Sequence, residues 1–284
     1  MYLGDILCPL STCTFECNAT KKEKEWMKVE KIKKIIEDSQ CVLIGIGTDM
    51  QDIGLNKELT EIFQQKQKQE MLEKEAEWLL PFLKSYSCQN DKDIRQANAY
   101  ENLYQLVKNK NYFVVTLNDD DKIFQSSFSA DKITAPCGSM SRLQCINGCE
   151  ESIRESEEIV NDIVDNIKNP HIKLADIAKP CCEKCGGYLV FNTVGQKKYL
   201  ESGYIKSWEK YRMWLTGTLN KKICLLELGA DFKYPSIIRW AFEKVAFINE
   251  KATFIRVNEK YPQMTEELKG KAYAYNKNPI EFFQ

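Results

Sequence analysis

Four short, almost unbroken apolar runs do most to limit what this chain can fold into: "CVLIGIG" at 41–47, "YFVVTLN" at 112–118, "KICLLELG" at 222–229 and "ATFIRVN" at 252–258. Each is too short for a buried helix and is bounded by glycine or polar residues, so it reads as a strand apolar on both faces. Such strands belong to parallel sheets whose crossover helices cover both sides. "DKITAP" at 131–136 is a shorter strand candidate of the same kind. Helical spacing fills the intervals. Val29, Ile32, Ile35 and Ile36 follow Trp26 on one face of 21–40, and 97–109, 198–219 and 235–247 carry similar stripes. The charged stretch 56–86 reads as one or two solvent-facing helices inserted above the first strand. The expected fold is α/β: a Rossmann-like parallel sheet with helices on both faces, a helical insertion and a small inserted module.

That module is marked by cysteines. Cys145 and Cys149 form one close pair and Cys182 and Cys185 another, on either side of an acidic helix at 151–169. Two short-spaced thiolate pairs suit tetrahedral zinc, because each pair can sit on one tight turn. Cys181 competes with Cys182 for the third position; the two-residue spacing favours Cys182. No general base accompanies the cluster in a recognisable pattern, so Zn2+ is expected to be structural. Cys8, Cys13 and Cys17 form a looser cluster, read as packed structure rather than a second metal site.

Charge and hydropathy narrow the partners. The chain of 284 residues has a formal net charge of -1, which gives no reason to expect nucleic acid. No apolar run reaches the roughly 18 residues of a membrane span, and the first residues lack the basic start of a secretory leader. The expectation is a cytoplasmic protein with no membrane contact, in which 12 cysteines serve as ligands or buried apolar residues rather than disulfides. The sequence divides as an N-terminal extension and helix at 1–35, the sheet domain at 36–141 and 220–284 with its insertion at about 55–95, the cysteine module at 142–200, and a connecting helix at 201–219.

The strand ends carry the candidate chemistry, since ligands of open parallel sheets bind at the carboxyl edge. The first delivers Gly45, Ile46, Gly47 and Asp49, the second Asn118 and Asp120, and the third Cys137 and Gly138. The later two deliver Gly229 with Ala230, and Asn258. Taken in this order, with the cysteine module between the third and fourth, these ends resemble the sirtuin family. The resemblance is closest to its macrodomain-associated, class M branch. It is carried by "NYFVVTLNDD", by "QC" before the first cysteine pair, by "CEKCGG" and by "LLELGADFKYPSIIRWAFE", and covers about 36–258.

The resemblance implies NAD as cosubstrate and a protein segment meeting in a cleft between sheet domain and zinc module. The implied reaction releases nicotinamide and passes ADP-ribose to an acyl-lysine oxygen or a protein side chain, in class M on a lipoyl-carrier-like protein. Carried over, Asn118 would orient a water or the nicotinamide ribose, and Asp120 would hold the carboxamide. Gly45 and Gly47 would face the pyrophosphate, Gly229 and Ala230 its other side, and Asn258 the adenosine ribose.

Departures bear on the same positions. Cys137 stands where the family has His or, in class M, Gln, and the single histidine, His171, lies in the cysteine module. Ile46 replaces a small residue and Asp49 a serine, and Asp231 and Tyr234 also depart from the pattern. A carboxylate beside a pyrophosphate would be repelled by about 1–4 kcal/mol at an effective dielectric of 80 down to 20. Three readings follow: an NAD-consuming transferase in which Asn118 and Asp120 promote nicotinamide departure, a catalytically degenerate homologue that binds nucleotide or protein, and a reactive thiol at Cys137. The last lacks any Lys, Arg or His adjoining Cys137 in sequence to lower the thiol pKa.

Overall fold

The computed structural model describes residues 21–284 apart from 52, 53, 73 and 92. The Cys8, Cys13 and Cys17 cluster and the Trp26 side chain lie outside that description. Six strands form one parallel sheet: β1 (Cys41–Ile46), β2 (Asn111–Thr116), β3 (Ile133–Thr134), β7 (Ile223–Leu228), β8 (Ala252–Val257) and β9 (Ala272–Tyr275). Their order across the sheet is β3-β2-β1-β7-β8-β9. A second, antiparallel sheet is ordered β5-β4-β6, from β4 (Gly138–Cys145), β5 (Arg154–Glu155) and β6 (Leu189–Thr193).

Both faces of the large sheet are dry, as the unbroken apolar runs require. Because successive side chains on a strand point oppositely, Val42, Ile44 and Ile46 of β1 enter one core. There they meet α1 (Lys21–Asp38), α4 (Ile94–Val107) and α8 (Pro279–Phe282), through Ile32, Ile36, Ala99, Leu103 and Ile280. Cys41 and Leu43 enter the other, against α6 (Ile205–Thr216) and α7 (Arg239–Ile248), through Tyr211, Phe242 and Ala246.

The inserted helices differ from the expectation of a solvent-facing pair. Together α2 (Lys57–Glu70) and α3 (Leu80–Asn90) share a core with α5 (Glu157–Lys168) and the small sheet, built from Leu59, Phe63, Phe82, Leu83, Leu143, Val160, Ile163 and Phe191. The polar face of α2 and part of the charged stretch that follows it remain exposed. Insertion and cysteine module thus form one small lobe. Met140 of β4 ties that lobe to the sheet: its N–H donates to the Asp119 carbonyl (2.7 Å), and its carbonyl accepts from Ser85 Oγ (2.7 Å) and Ser156 Oγ (3.0 Å).

Buried charge interrupts two of the apolar runs. Glu227 of β7 and Arg256 of β8 are register partners, both fully buried, and pair through Nε–Oε1 and Nη2–Oε2 at 2.8 Å each. Glu243 accepts from Arg256 Nη2 at 2.8 Å, and Arg239 reaches Glu227 at 3.4 Å. Both guanidinium groups also donate to loop carbonyls, Arg239 to Ala230, Tyr261 and Gln263, and Arg256 to Gln263. The network binds the loops after β7 and β8 to the sheet beneath them.

Candidate functional site

The predicted strand ends converge along the carboxyl edge of the large sheet. Backbone bonds extend the ladder past the strands: Leu117 N–H to Ile46 O, Gly47 N–H to Leu228 O and Gly229 N–H to Val257 O, each 2.8 Å. Gly47 is needed for close approach, since a Cβ there would run into the backbone of Gly229 and Ala230. At Gly45 a Cβ would lie 2.5 Å from Ile238 Cγ2, so this glycine lets α7 settle on the sheet. Both glycines are accounted for by packing within the protein.

The loop after β1 is balanced electrically by a residue the sequence did not single out. Asp49 is largely buried and pairs with Lys260 Nζ at 3.0 Å, which offsets the repulsion expected of a lone carboxylate beside a pyrophosphate. The partner lies 211 residues away, so no local pattern could have disclosed it. Thr48 Oγ1 donates to Asp231 at 3.0 Å, joining the loops after β1 and β7. Ile46 and Ala230 are fully buried. Asn258 is buried too, its amide committed: Nδ2 donates to Ala230 O (2.9 Å), and Oδ1 accepts from Lys260 N–H (3.1 Å) and Tyr261 N–H (2.7 Å). Asn258 thereby shapes the loop that would flank a ribose.

Past β2 the chain places Asn118, Asp119, Asp120 and Asp121 in succession. Asn118 is 2% exposed, yet neither Oδ1 nor Nδ2 has a hydrogen-bond partner among the described residues. An unsatisfied buried amide costs about 1–3 kcal/mol, an expense that fits a group kept for a ligand. Asp120, equally buried, accepts from Lys122 N–H (3.1 Å) and Gln96 Nε2 (3.2 Å). Burial, reinforced by Asp121 and Asp119, pushes its pKa up to about 6 against the two hydrogen bonds.

A carboxyl whose pKa is raised on folding favours the native state most below its unfolded value, and that contribution is lost as pH rises through the folded value. At neutral pH Asp120 is therefore a strain on the fold. Asp120→Asn should raise stability by about 1–2 kcal/mol at pH 8 and by less at pH 4.5. Urea unfolding at the two pH values measures the difference.

Cys137 lies within the same edge, 3% exposed, its thiol pushed up to about 12 chiefly by burial and then by Asp119. It is protonated at neutral pH and offers no thiolate. Neighbouring Asp121 has its backbone in the left-handed region (φ 56) and accepts from Ser139 Oγ and from Ser141 N–H (3.3 Å). Asp119 pairs with Lys84 (3.3 Å) and accepts from Gln51 Nε2 (2.9 Å). Asp119 and Lys84 line an apolar cleft of about 890 Å³ between α3 and the small sheet, walled by Trp78, Phe82, Met140, Tyr188 and Phe191.

In the small lobe, the Sγ atoms of Cys145, Cys149, Cys182 and Cys185 all lie within 4.8 Å of one another. Cys145 ends β4 and Cys185 precedes β6, so the small sheet brings the two turns together. Gly148 (φ 71) and Gly186 (φ 69) supply the left-handed residue in each turn. Asn147 N–H points at Cys145 Sγ (3.3 Å) and Gly187 N–H at Cys185 Sγ (3.4 Å), donors suited to thiolates. Cys181 faces outward to the Lys179 carbonyl, which resolves the ligand choice in favour of Cys182. The donor set suits a structural zinc site, since four thiolates can fill a tetrahedral shell.

No family model matches the chain. Among solved structures, one of Sir2 enzymes superposes with a TM-score of 0.55 at 15% identity, covering 90% of this chain and 95% of that one. A Sir2 structure with p53 peptide and NAD+ superposes with a TM-score of 0.54 at 15% identity, covering 90% and 96%. The chain has the Sir2 fold. Over 258 residues it is 21% identical to a protein ADP-ribosyltransferase of Staphylococcus aureus (strain Mu50), a match covering 84% of this chain and 80% of that protein. Over 150 residues it is 27% identical to a probable bifunctional ADP-ribose hydrolase/ADP-ribosyltransferase of Fusarium oxysporum f. sp. cubense. That match covers 51% of this chain and 25% of the Fusarium protein, so the chain spans only a quarter of that relative. Within this Sir2 fold, no described helix is long and apolar enough to cross a membrane.

Proposed function

We propose that the protein is a sirtuin-type, NAD-dependent protein ADP-ribosyltransferase of the class M kind. One observation carries the reading: the buried Asn118 amide, unpartnered at both polar atoms, stands beside Asp120 at the carboxyl edge of a Sir2-fold sheet. In the reaction the C–N bond between nicotinamide and ribose breaks, nicotinamide leaves with the electron pair, and an acceptor oxygen bonds to the ribose carbon as it loses its proton. Asn118 would hold the ribose or a water beside it, and Asp120 the carboxamide. Such chemistry needs positioning and charge stabilisation more than a strong base, which accommodates a protonated Cys137. The apolar cleft beside Asp119 supports a protein partner bearing an apolar group, in keeping with a lipoyl-carrier-like substrate.

A binding-only reading draws on one feature, the loop after β1, where the Asp49–Lys260 pair stands in place of the serine that the resemblance expects. Nicotinamide release from NAD separates the two. Asn118→Ala and Asp120→Asn should each lower the rate by about 10²–10³-fold, the effect of removing one preorganised polar group. If NAD binds by calorimetry and no nicotinamide appears, the transferase reading fails and the binding module stands.

A further inference from the structure

The strands of the large sheet all run parallel, so the turns leading into them gather on one edge, about 20 Å from the edge that carries the candidate site. Hydrogen bonds stitch these turns together. Gln40 N–H donates to Lys222 O (2.8 Å), Asn249 Nδ2 to Lys221 O (3.1 Å) and Lys271 Nζ to Phe247 O (3.4 Å). The turn before β2 joins through Lys110 Nζ, which donates to Ser39 O (3.1 Å).

This amino edge is basic. It carries Lys108, Lys110, Lys221, Lys222, Lys251 and Lys271, against Glu37, Asp38 and Glu250. Among the described residues, no carboxylate pairs with Lys221, Lys222, Lys251 or Lys271, whereas Lys269 at the border is paired with Glu266 (3.9 Å). Three apolar side chains stand among the lysines: Leu219, Phe247 and Ile248 are 61%, 58% and 60% exposed. The opposite, carboxyl edge holds Asp49, Asp119, Asp120, Asp121 and Asp231. A formal net charge of -1 averages the two edges and conceals both.

We propose that the amino edge is a docking surface for an anionic phospholipid bilayer. The apolar tips enter the headgroup layer while the lysines meet the lipid phosphates and carboxylates, the two signals that peripheral binding needs. Composition separates this partner from a protein. Protein interfaces are enriched in Arg and depleted in Lys, and the turns at 108–110, 217–222, 249–251 and 269–271 contain no arginine. Lipid charge is diffuse and mobile, which suits a flexible ammonium and gives a bidentate guanidinium no fixed target. Docked in this way, the chain turns its carboxyl edge away from the bilayer and leaves it open to a soluble acceptor. The proposal stands apart from the NAD chemistry.

The test is co-sedimentation of the full chain with vesicles of phosphatidylcholine, alone or with about one-third phosphatidylserine, at about 0.1 M salt. The chain should pellet with the second and not with the first. Lys221→Gln with Lys222→Gln should weaken that binding about 25-fold, roughly fivefold for each lysine. Phe247→Ala with Ile248→Ala should weaken it about tenfold, because the apolar anchor is lost while the charge stays. Lys68→Gln with Lys74→Gln removes the same charge from exposed positions on the helical insertion and should change nothing. All the substituted side chains are exposed, so circular dichroism should show an unchanged fold in each variant. Failure to pellet with phosphatidylserine vesicles, equal pelleting with both kinds, or an equal loss in the Lys68 and Lys74 variant overturns the proposal. Retention on immobilised polyglutamate without vesicle binding also overturns it and gives the face to an acidic protein.

Discussion

Cys185→Ser should release zinc and unfold the small lobe, whereas Cys181→Ser should do neither. The wild-type chain is expected to carry about one zinc, since four thiolates fill a tetrahedral shell. In small zinc-finger peptides metal binding contributes about 10–16 kcal/mol of apparent folding energy. Here the lobe retains a core of Leu143, Val160, Ile163 and Phe191, so the loss should be several kcal/mol rather than the whole. The Cys181 thiol donates to the Lys179 carbonyl and lies outside the cluster, which makes it the matched control. Metal analysis, with limited proteolysis of the segment between the cysteine pairs, measures both outcomes. Wild-type zinc content and protease resistance in Cys185→Ser would remove the cluster from the account of stability.

Arg256→Ala should destabilise the sheet by about 3–5 kcal/mol, because it leaves the buried Glu227 carboxylate without its bidentate partner. The remaining contact, from Arg239 at 3.4 Å, is long and single. For a chain of this size that corresponds to a fall in Tm of about 6–15 °C. Replacing the pair together, as Glu227→Leu with Arg256→Met, should recover most of the loss, since burying two charges in the first place costs nearly what their attraction returns. Thermal melts of the single and double variants make the comparison. A single variant that melts with the wild type would mean that water reaches Glu227.

The large sheet was legible because β1, β2, β7 and β8 carry continuous apolar runs that only a doubly covered parallel strand tolerates. The edge strand β9, "AYAY", lacked that signal, being short and half exposed. The small sheet was hidden for a different reason: its buried positions include Gln144 and Asn192, which satisfy each other across β4 and β6 (Asn192 Nδ2 to Gln144 Oε1, 2.6 Å). A polar pair of this kind reads as surface until its partner is known. Glu227 and Arg256 posed the same difficulty, each looking like an interruption in an apolar run. The zinc ligands and the Asn118–Asp120 strand end were visible because their function is local in sequence. Lys260 was not, since it acts on Asp49, a residue brought near only by folding.

The bonds around Met140 join two properties that would otherwise be independent. Strand β4 ends in a zinc ligand, Cys145, and near its start holds the Asp119 carbonyl next to Asn118. Strand β4 thus gives metal occupancy a direct backbone route to the placement of the 118–121 loop. Any ligand that favours one geometry of the loop must, by reciprocity, change zinc affinity by the same factor by which zinc changes its own.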